Sequence, residues 1–212
     1  MLFLEGASMV PAILSRLFEL IAPTTMAKQS NNLVARKINY IETHGDIYQR
    51  AKRDIEDLDG LAPDALKAIY ERTLEQKDKI EDKAKTLTAA STIATTITVT
   101  LITASGEIST ETDYVGFFDL VFCALCFLAA SYMIIASINT IRIYTSLIKT
   151  YTFDYSAINE IIEYKKSIAC NRLTNIMRTN FLGSSFQCLK NSLWLLLLAC
   201  ATKFVALFPL LN

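Results

Sequence analysis

Histidine, tryptophan, proline and glycine are all scarce in this chain: one histidine, one tryptophan, four prolines and six glycines in 212 residues. So little glycine leaves few phosphate-cradling loops, and no G-x-x-x-x-G-K-[ST], G-x-G-x-x-G, H-E-x-x-H or G-x-S-x-G occurs. His44 lies among charged residues, where a solvated surface group is commoner than a catalyst. No enzyme activity, cofactor or metal is expected. Charge of one sign is missing too: 21 Lys+Arg face 21 Asp+Glu, so no specific nucleic-acid binding is expected, and basic residues matter through where they lie. Five cysteines, an odd number, with Cys123, Cys126 and Cys200 inside apolar stretches, make a secreted disulfide framework a poor fit and structural thiols a better one. Cys123-Ala-Leu-Cys126 has C-x-x-C spacing but neither a second pair nor a histidine beside it, as zinc or thioredoxin chemistry would need. No stretch alternates long enough to make a sheet.

Apolar residues are abundant. At 52% hydrophobic and a mean hydropathy of +0.31, the composition directs attention to membrane spans. A bilayer core of ~30 Å needs about 20 mostly apolar residues in helix, and three segments qualify. They are Leu87 to Ala104, Phe117 to Ile138, and Leu193 to Leu211. Lys77, Lys79, Lys83 and Lys85 precede the first. The connection 105–116 has no Lys or Arg and carries Glu107, Glu111 and Asp113, whereas Arg142, Lys149, Lys165, Lys166, Arg172, Arg178 and Lys190 follow the second. Positive flanks mark the cytoplasmic side, so the expected topology is amino terminus in, short acidic loop out, basic segment in, carboxyl terminus out.

The expected fold is an all-α membrane protein with about three transmembrane helices continuing into a cytoplasmic helical bundle. Its divisions are an amphipathic amino-terminal segment over 1–30, a cytoplasmic helical region over 31–86, two spans over 87–138 with the outer loop 105–116, a cytoplasmic helical hairpin over 139–192, and a third span over 193–211. The amphipathic helix is placed at Pro11 to Ile21, with Ile13, Leu14, Leu17, Phe18 and Ile21 on one side; no signal-peptide cleavage is expected, because Glu5, Arg16 and Glu19 break the leader pattern. Pro63 suits a first helical turn, and no breaker follows it before the first span, so one long rod is implied. The helix of the second span is expected to run on through INTIRIYTSLIKTY to a turn at Thr152 to Ser156. The next helix is expected to be interrupted at Gly183-Ser184-Ser185.

The first span is crowded with hydroxyls. On a helical wheel Thr88, Ser91, Thr92, Thr95, Thr96 and Thr103 share one broad face, and Thr88, Thr92, Thr96 and Thr100 recur every fourth residue. Such a face can pack against other helices, satisfy itself by bonding its own backbone, or line water in a pore made by several copies. Packing and pore lining both call for neighbours, so a homo-oligomer in the lipid bilayer is expected. Lys203 is the one basic residue well inside a span, where insertion costs about 2.5–3.5 kcal/mol; it either snorkels or pairs with Asp119, the one acidic residue in any span.

Glu81-Asp82-Lys83-Ala84-Lys85 running into the first span, and Tyr164-Lys165-Lys166 and Asn171 to Asn180 ahead of the last, give the chain a layout that resembles the Pycsar and SLATT-like transmembrane effectors of bacterial nucleotide-signalling systems. The resemblance covers roughly the carboxyl-terminal two-thirds of the chain. It implies an inner-membrane protein that oligomerises and breaches the membrane in antiphage defence by abortive infection, with a soluble activating partner or a nucleotide signal. The alternative is a non-conducting scaffold or regulatory subunit that docks a soluble partner.

Overall fold

The computed structural model describes residues 22–44, 56–105, 113–145, 148–154 and 159–207. Four α-helices account for most of them: α1 Pro23–His44, α2 Pro63–Ser105, α3 Asp113–Tyr144 and α4 Glu160–Leu207, with a 3-10 turn at Glu56–Leu58. There is no strand among the described residues. The Pro11 to Ile21 helix expected from the sequence lies outside them, and α1 runs across the boundary drawn at residue 30.

Local chemistry accounts for the helix starts. Pro23 and Pro63 occupy first-turn positions, where a missing N–H costs nothing, and Asp64 adds a favourable charge at the amino end of α2. Gly60 adopts φ +77, the left-handed region open to glycine, and so lets the chain leave the 3-10 turn for α2 while Leu58 stays fully buried. Asn159 caps α4: its side-chain oxygen accepts from the Ile162 N–H at 3.2 Å, and Glu160 and Glu163 sit in the first turn.

At 1.5 Å per residue, α2 with 43 residues and α4 with 48 residues are about 65 and 72 Å long, roughly twice the bilayer core. α2, α3 and α4 are each long and apolar enough to cross a membrane. Only 11%, 28% and 17% of their apolar windows are buried within the chain, and Phe127, Leu120 and Trp194 are 70%, 69% and 64% exposed. Apolar surface left open on this scale marks helices that meet lipid or other protein rather than water.

Two structural units divide the chain. One gathers Thr86–Asn139 and Ser184–Asn212. Its small core joins Phe122, Cys126 and Ala199, flanked by Leu101, Ile102, Leu125 and Leu196. The other gathers Thr24–Lys85 and Thr140–Gly183. Its larger core joins Ile38 and Ile41 of α1, Leu58, Leu66 of α2, and Tyr164, Ile168 and Leu173 of α4; a second cluster joins Ala27, Ala84, Ile143, Ile148 and Phe181.

Two sequence expectations are corrected. α4 passes through Gly183-Ser184-Ser185 without a break. A helical glycine costs only about 1 kcal/mol, and the helix packs on both sides of it, with Ser184, Ser185 and Cys188 buried and Phe181 in the core of the second unit. α3, by contrast, ends at Tyr144 and does not run on through Tyr151. Residues 148–154 are non-helical because side chains from other helices hydrogen-bond their backbone in place of helical partners. Asn171 brackets Tyr151, accepting from its N–H and donating to its carbonyl, both at 2.9 Å. The Phe153 N–H donates to the Tyr70 hydroxyl at 3.1 Å.

Candidate functional site

In the first unit α2 presents its hydroxyls in two sets. Ser91 and Thr98, both fully buried, turn toward α3: Ser91 Oγ lies 2.8 Å from Ser137 Oγ, and Thr98 Oγ1 lies 3.6 Å from Met133 Sδ. Thr92, Thr96, Thr100 and Thr103 are exposed, and Thr88 and Thr95 are half-buried. Packing within the chain therefore uses Ser91 together with Thr98, a residue outside the face drawn from the sequence.

Every threonine of that face from Thr92 onward donates to its own helix. Thr92 bonds the Thr88 carbonyl at 2.9 Å, Thr95 that of Ser91 at 2.8 Å, Thr96 that of Thr92 at 3.1 Å, and Thr100 that of Thr96 at 3.0 Å. Thr103 reaches the carbonyls of Val99 and Thr100 at 3.2 and 3.0 Å. Back-bonding removes the donor from the surface and leaves methyl groups and oxygen lone pairs facing outward. An open groove of about 470 Å³ follows this face, bordered by Thr92, Thr95, Thr96 and Thr100 of α2 and by Ile134 and Ile138 of α3.

Lys203 of α4 forms an ion pair with Asp119 of α3, and its ammonium lies 5.4 Å from the centre of the Phe122 ring. Both partners are largely shielded, with side chains 16% and 24% exposed. Of the alternatives open for Lys203, pairing is the one the structure adopts. Asn139 of α3 also donates to Ser184 Oγ of α4 at 3.2 Å. Polar contacts of this kind hold helices together where apolar packing has no competing water to exclude.

The second unit has a polar interior. Arg178, 1% exposed, donates through Nη2 to the Ile148 carbonyl and Thr150 Oγ1, both at 3.0 Å, and through Nη1 to Asn175 Oδ1 at 3.1 Å and Thr174 Oγ1 at 3.3 Å. Glu81 lies 3.8 Å from its Nε. Asn175 in turn donates to the Thr73 carbonyl at 2.9 Å. Lys165, nearly buried, pairs with Asp59 at 2.6 Å, and Arg172 grips Asp57 through two bonds of 2.8 Å. Glu42 of α1 accepts from Lys149 at 2.8 Å and from the Tyr151 hydroxyl at 2.9 Å, which holds its carboxyl below the usual range. Burial pushes the Cys170 thiol up to about 11, as suits a structural thiol.

These groups were missed from sequence because the periodicity looked for was apolar. Ser167, Asn171, Thr174, Asn175 and Arg178 recur at helical spacing on the buried side of α4, a polar stripe where an amphipathic helix would carry leucines. Among the described residues no group of His, Cys, Asp and Glu is arranged to hold a metal ion. His44 is placed at the end of α1, and Cys123 is exposed while Cys126 is buried.

Comparison with known proteins gives no match to a family model, a curated protein or a solved structure.

Proposed function

We propose that the chain is a homo-oligomeric membrane protein in which copies assemble around the exposed threonine face of α2 and open a water-filled path across the bilayer. One observation carries this: the polar atoms of Thr92, Thr96, Thr100 and Thr103 stay outside the chain's own packing, although Ser91 and Thr98 on the same helix are used for it. A surface of oxygen acceptors stripped of donors suits hydrated cations and costs no buried charge. The Lys and Arg distribution supports the topology stated above, with 105–116 outside and the second unit a cytoplasmic helical bundle. Residence in a bacterial inner membrane, activation by a soluble partner or nucleotide, and a role in antiphage defence by abortive infection rest on the resemblance of layout alone. The second reading, a non-conducting scaffold, is favoured by the same back-bonds, since hydroxyls satisfied by their own helix require neither water nor a neighbour.

The test is a double substitution, Thr92→Val with Thr96→Val, assayed for particle mass in nanodiscs and for release of a self-quenching dye from liposomes. The wild type is expected to be multimeric and to release dye; the variant is expected to stay multimeric and lose release by dewetting. A monomeric wild type that releases no dye would establish the scaffold. Weakened assembly with release falling in proportion would make the face a packing surface.

A further inference from the structure

In the second unit, a cleft of about 670 Å³ between α2 and α4 is lined by Gln76, Lys79, Ile80, Arg172, Asn175, Ile176, Thr179 and Asn180. Its volume falls within the ~300–1,000 Å³ of small-molecule sites, and two cations line it with no carboxylate. The polar groups there are of two kinds. Asn175 donates to the Thr73 carbonyl, Thr179 to the Asn175 carbonyl, and Asn180 to Ser30 and Asn31, so these three are committed to the fold. Gln76 and Lys79 make no side-chain hydrogen bond or ion pair among the described residues.

Arg72, Gln76, Lys79 and Lys83 of α2 fall at i, i+4, i+7 and i+11, one row along the helix, and none of the three cations has an ion-pair partner among the described residues. Other lysines of α2 are already neutralised: Lys77 lies 3.4 Å from Asp78 and 3.5 Å from Glu81, and Lys85 lies 3.0 Å from Asp82. The row therefore carries positive charge that is unpaired among the described residues, and the cleft opens on it at Gln76 and Lys79. Arg172, across the cleft on α4, has one edge of its guanidinium fixed by Asp57, so it is held in place while contributing a rigid donor plane.

We propose that this cleft binds a ligand bearing a phosphate group, with Lys79 as the principal charge contact, Arg172 as the fixed donor, the Gln76 amide as a hydrogen-bonding group, and Ile80 and Ile176 as walls for the apolar part of the ligand. Lys79 supplies a charge that no carboxylate among the described residues pairs, and Arg172, held by Asp57, sets a fixed guanidinium opposite it, an arrangement suited to the charge and multiple acceptors of a phosphate. The proposal is independent of whether the chain conducts. Two sources share this chemistry, a free organic phosphate and a phospholipid headgroup, and the experiment separates them.

Purified full-length protein in neutral detergent is titrated with inorganic pyrophosphate by calorimetry; in parallel, its binding is measured to vesicles of phosphatidylcholine alone and with phosphatidylglycerol added. The variants are Lys79→Ala and Gln76→Ala, with Lys85→Ala, an exposed lysine already paired with Asp82, as control. All three positions lie at the surface of a helix, and circular dichroism confirms that each variant folds. Saturable pyrophosphate binding, weakened roughly tenfold or more by Lys79→Ala and unchanged by Lys85→Ala, supports a soluble ligand. Binding confined to phosphatidylglycerol vesicles, with the same dependence on Lys79, supports a headgroup. No saturable binding in either arm, or binding that Lys79→Ala and Lys85→Ala weaken equally, overturns the proposal.

Discussion

Replacing Arg178 with methionine keeps a long apolar stem on α4 and removes the donors that fix residues 148–154. In the folded chain two of the four Nη bonds, those to the Ile148 carbonyl and Thr150 Oγ1, cross to that segment, and both are 3.0 Å long. A bond from a charged donor contributes about 1.5–3 kcal/mol. Taking the lower end, because Thr150 can turn toward water once released, the pair accounts for about 3 kcal/mol of local stability. The Ile148 side chain is 6% exposed, so its carbonyl would lose its partner close to the core. Amide exchange in the segment should then accelerate about a hundredfold, since about 1.4 kcal/mol corresponds to each factor of ten in opening. The amides of Tyr151 and Phe153 report directly, being bonded to Asn171 and Tyr70 rather than to Arg178. Hydrogen exchange read by mass spectrometry on peptides covering 148–154, in wild type, Arg178→Met and Arg178→Lys, is the assay. Lysine keeps the charge but cannot span the same acceptors, so an intermediate effect is expected. Exchange unchanged within a factor of about three, with α4 still folded, would refute the idea that Arg178 holds the segment in place.

Breaking the Lys203–Asp119 pair from one side, by Asp119→Ala, should lower the thermal midpoint more than the paired substitution Asp119→Leu with Lys203→Met, because the first leaves a shielded ammonium without its counter-charge; equal losses would show that the pair does not couple α3 to α4. Acidification should loosen the second unit: Lys149 holds the Glu42 carboxyl, and Arg172 the Asp57 carboxyl, below their usual values. Depressed carboxyls stabilise above their unfolded pKa, and that contribution is lost as pH falls through the folded one, so amide protection around α1 and residues 56–59 should decline below about pH 4.5 and be flat above it. Protection that rises on acidification would reverse the sign and remove these pairs as stabilisers. Ser109→Cys, in a background without native cysteines, should react with an impermeant thiol reagent outside intact cells while Glu160→Cys should not, and the opposite pattern would invert the proposed topology.

What the sequence determined by itself was one-dimensional. The apolar runs, their lengths, the start of α2 at Pro63 and its unbroken course to Ser105 follow from composition and local propensity, which act over a few turns. Where α3 stops was not legible, because Tyr144 is followed by nothing that breaks a helix; the segment leaves the helix for hydrogen bonds to Asn171, Tyr70 and Arg178, residues 20 to 83 positions away. The same limit governed the threonines. Their wheel put Ser91 with Thr92 and Thr96 and left Thr98 out, whereas packing against Met133 and Ser137 encloses Ser91 and Thr98 and leaves Thr92, Thr96 and Thr100 exposed. Hydroxyl and methyl are nearly equal in size, so sequence cannot say which will be enclosed. Asp119 and Lys203 were visible as two isolated charges, and helix placement made them a pair. A charge inside an apolar run is obvious from composition, whereas its partner is fixed by the approach of two helices 84 residues apart in the chain.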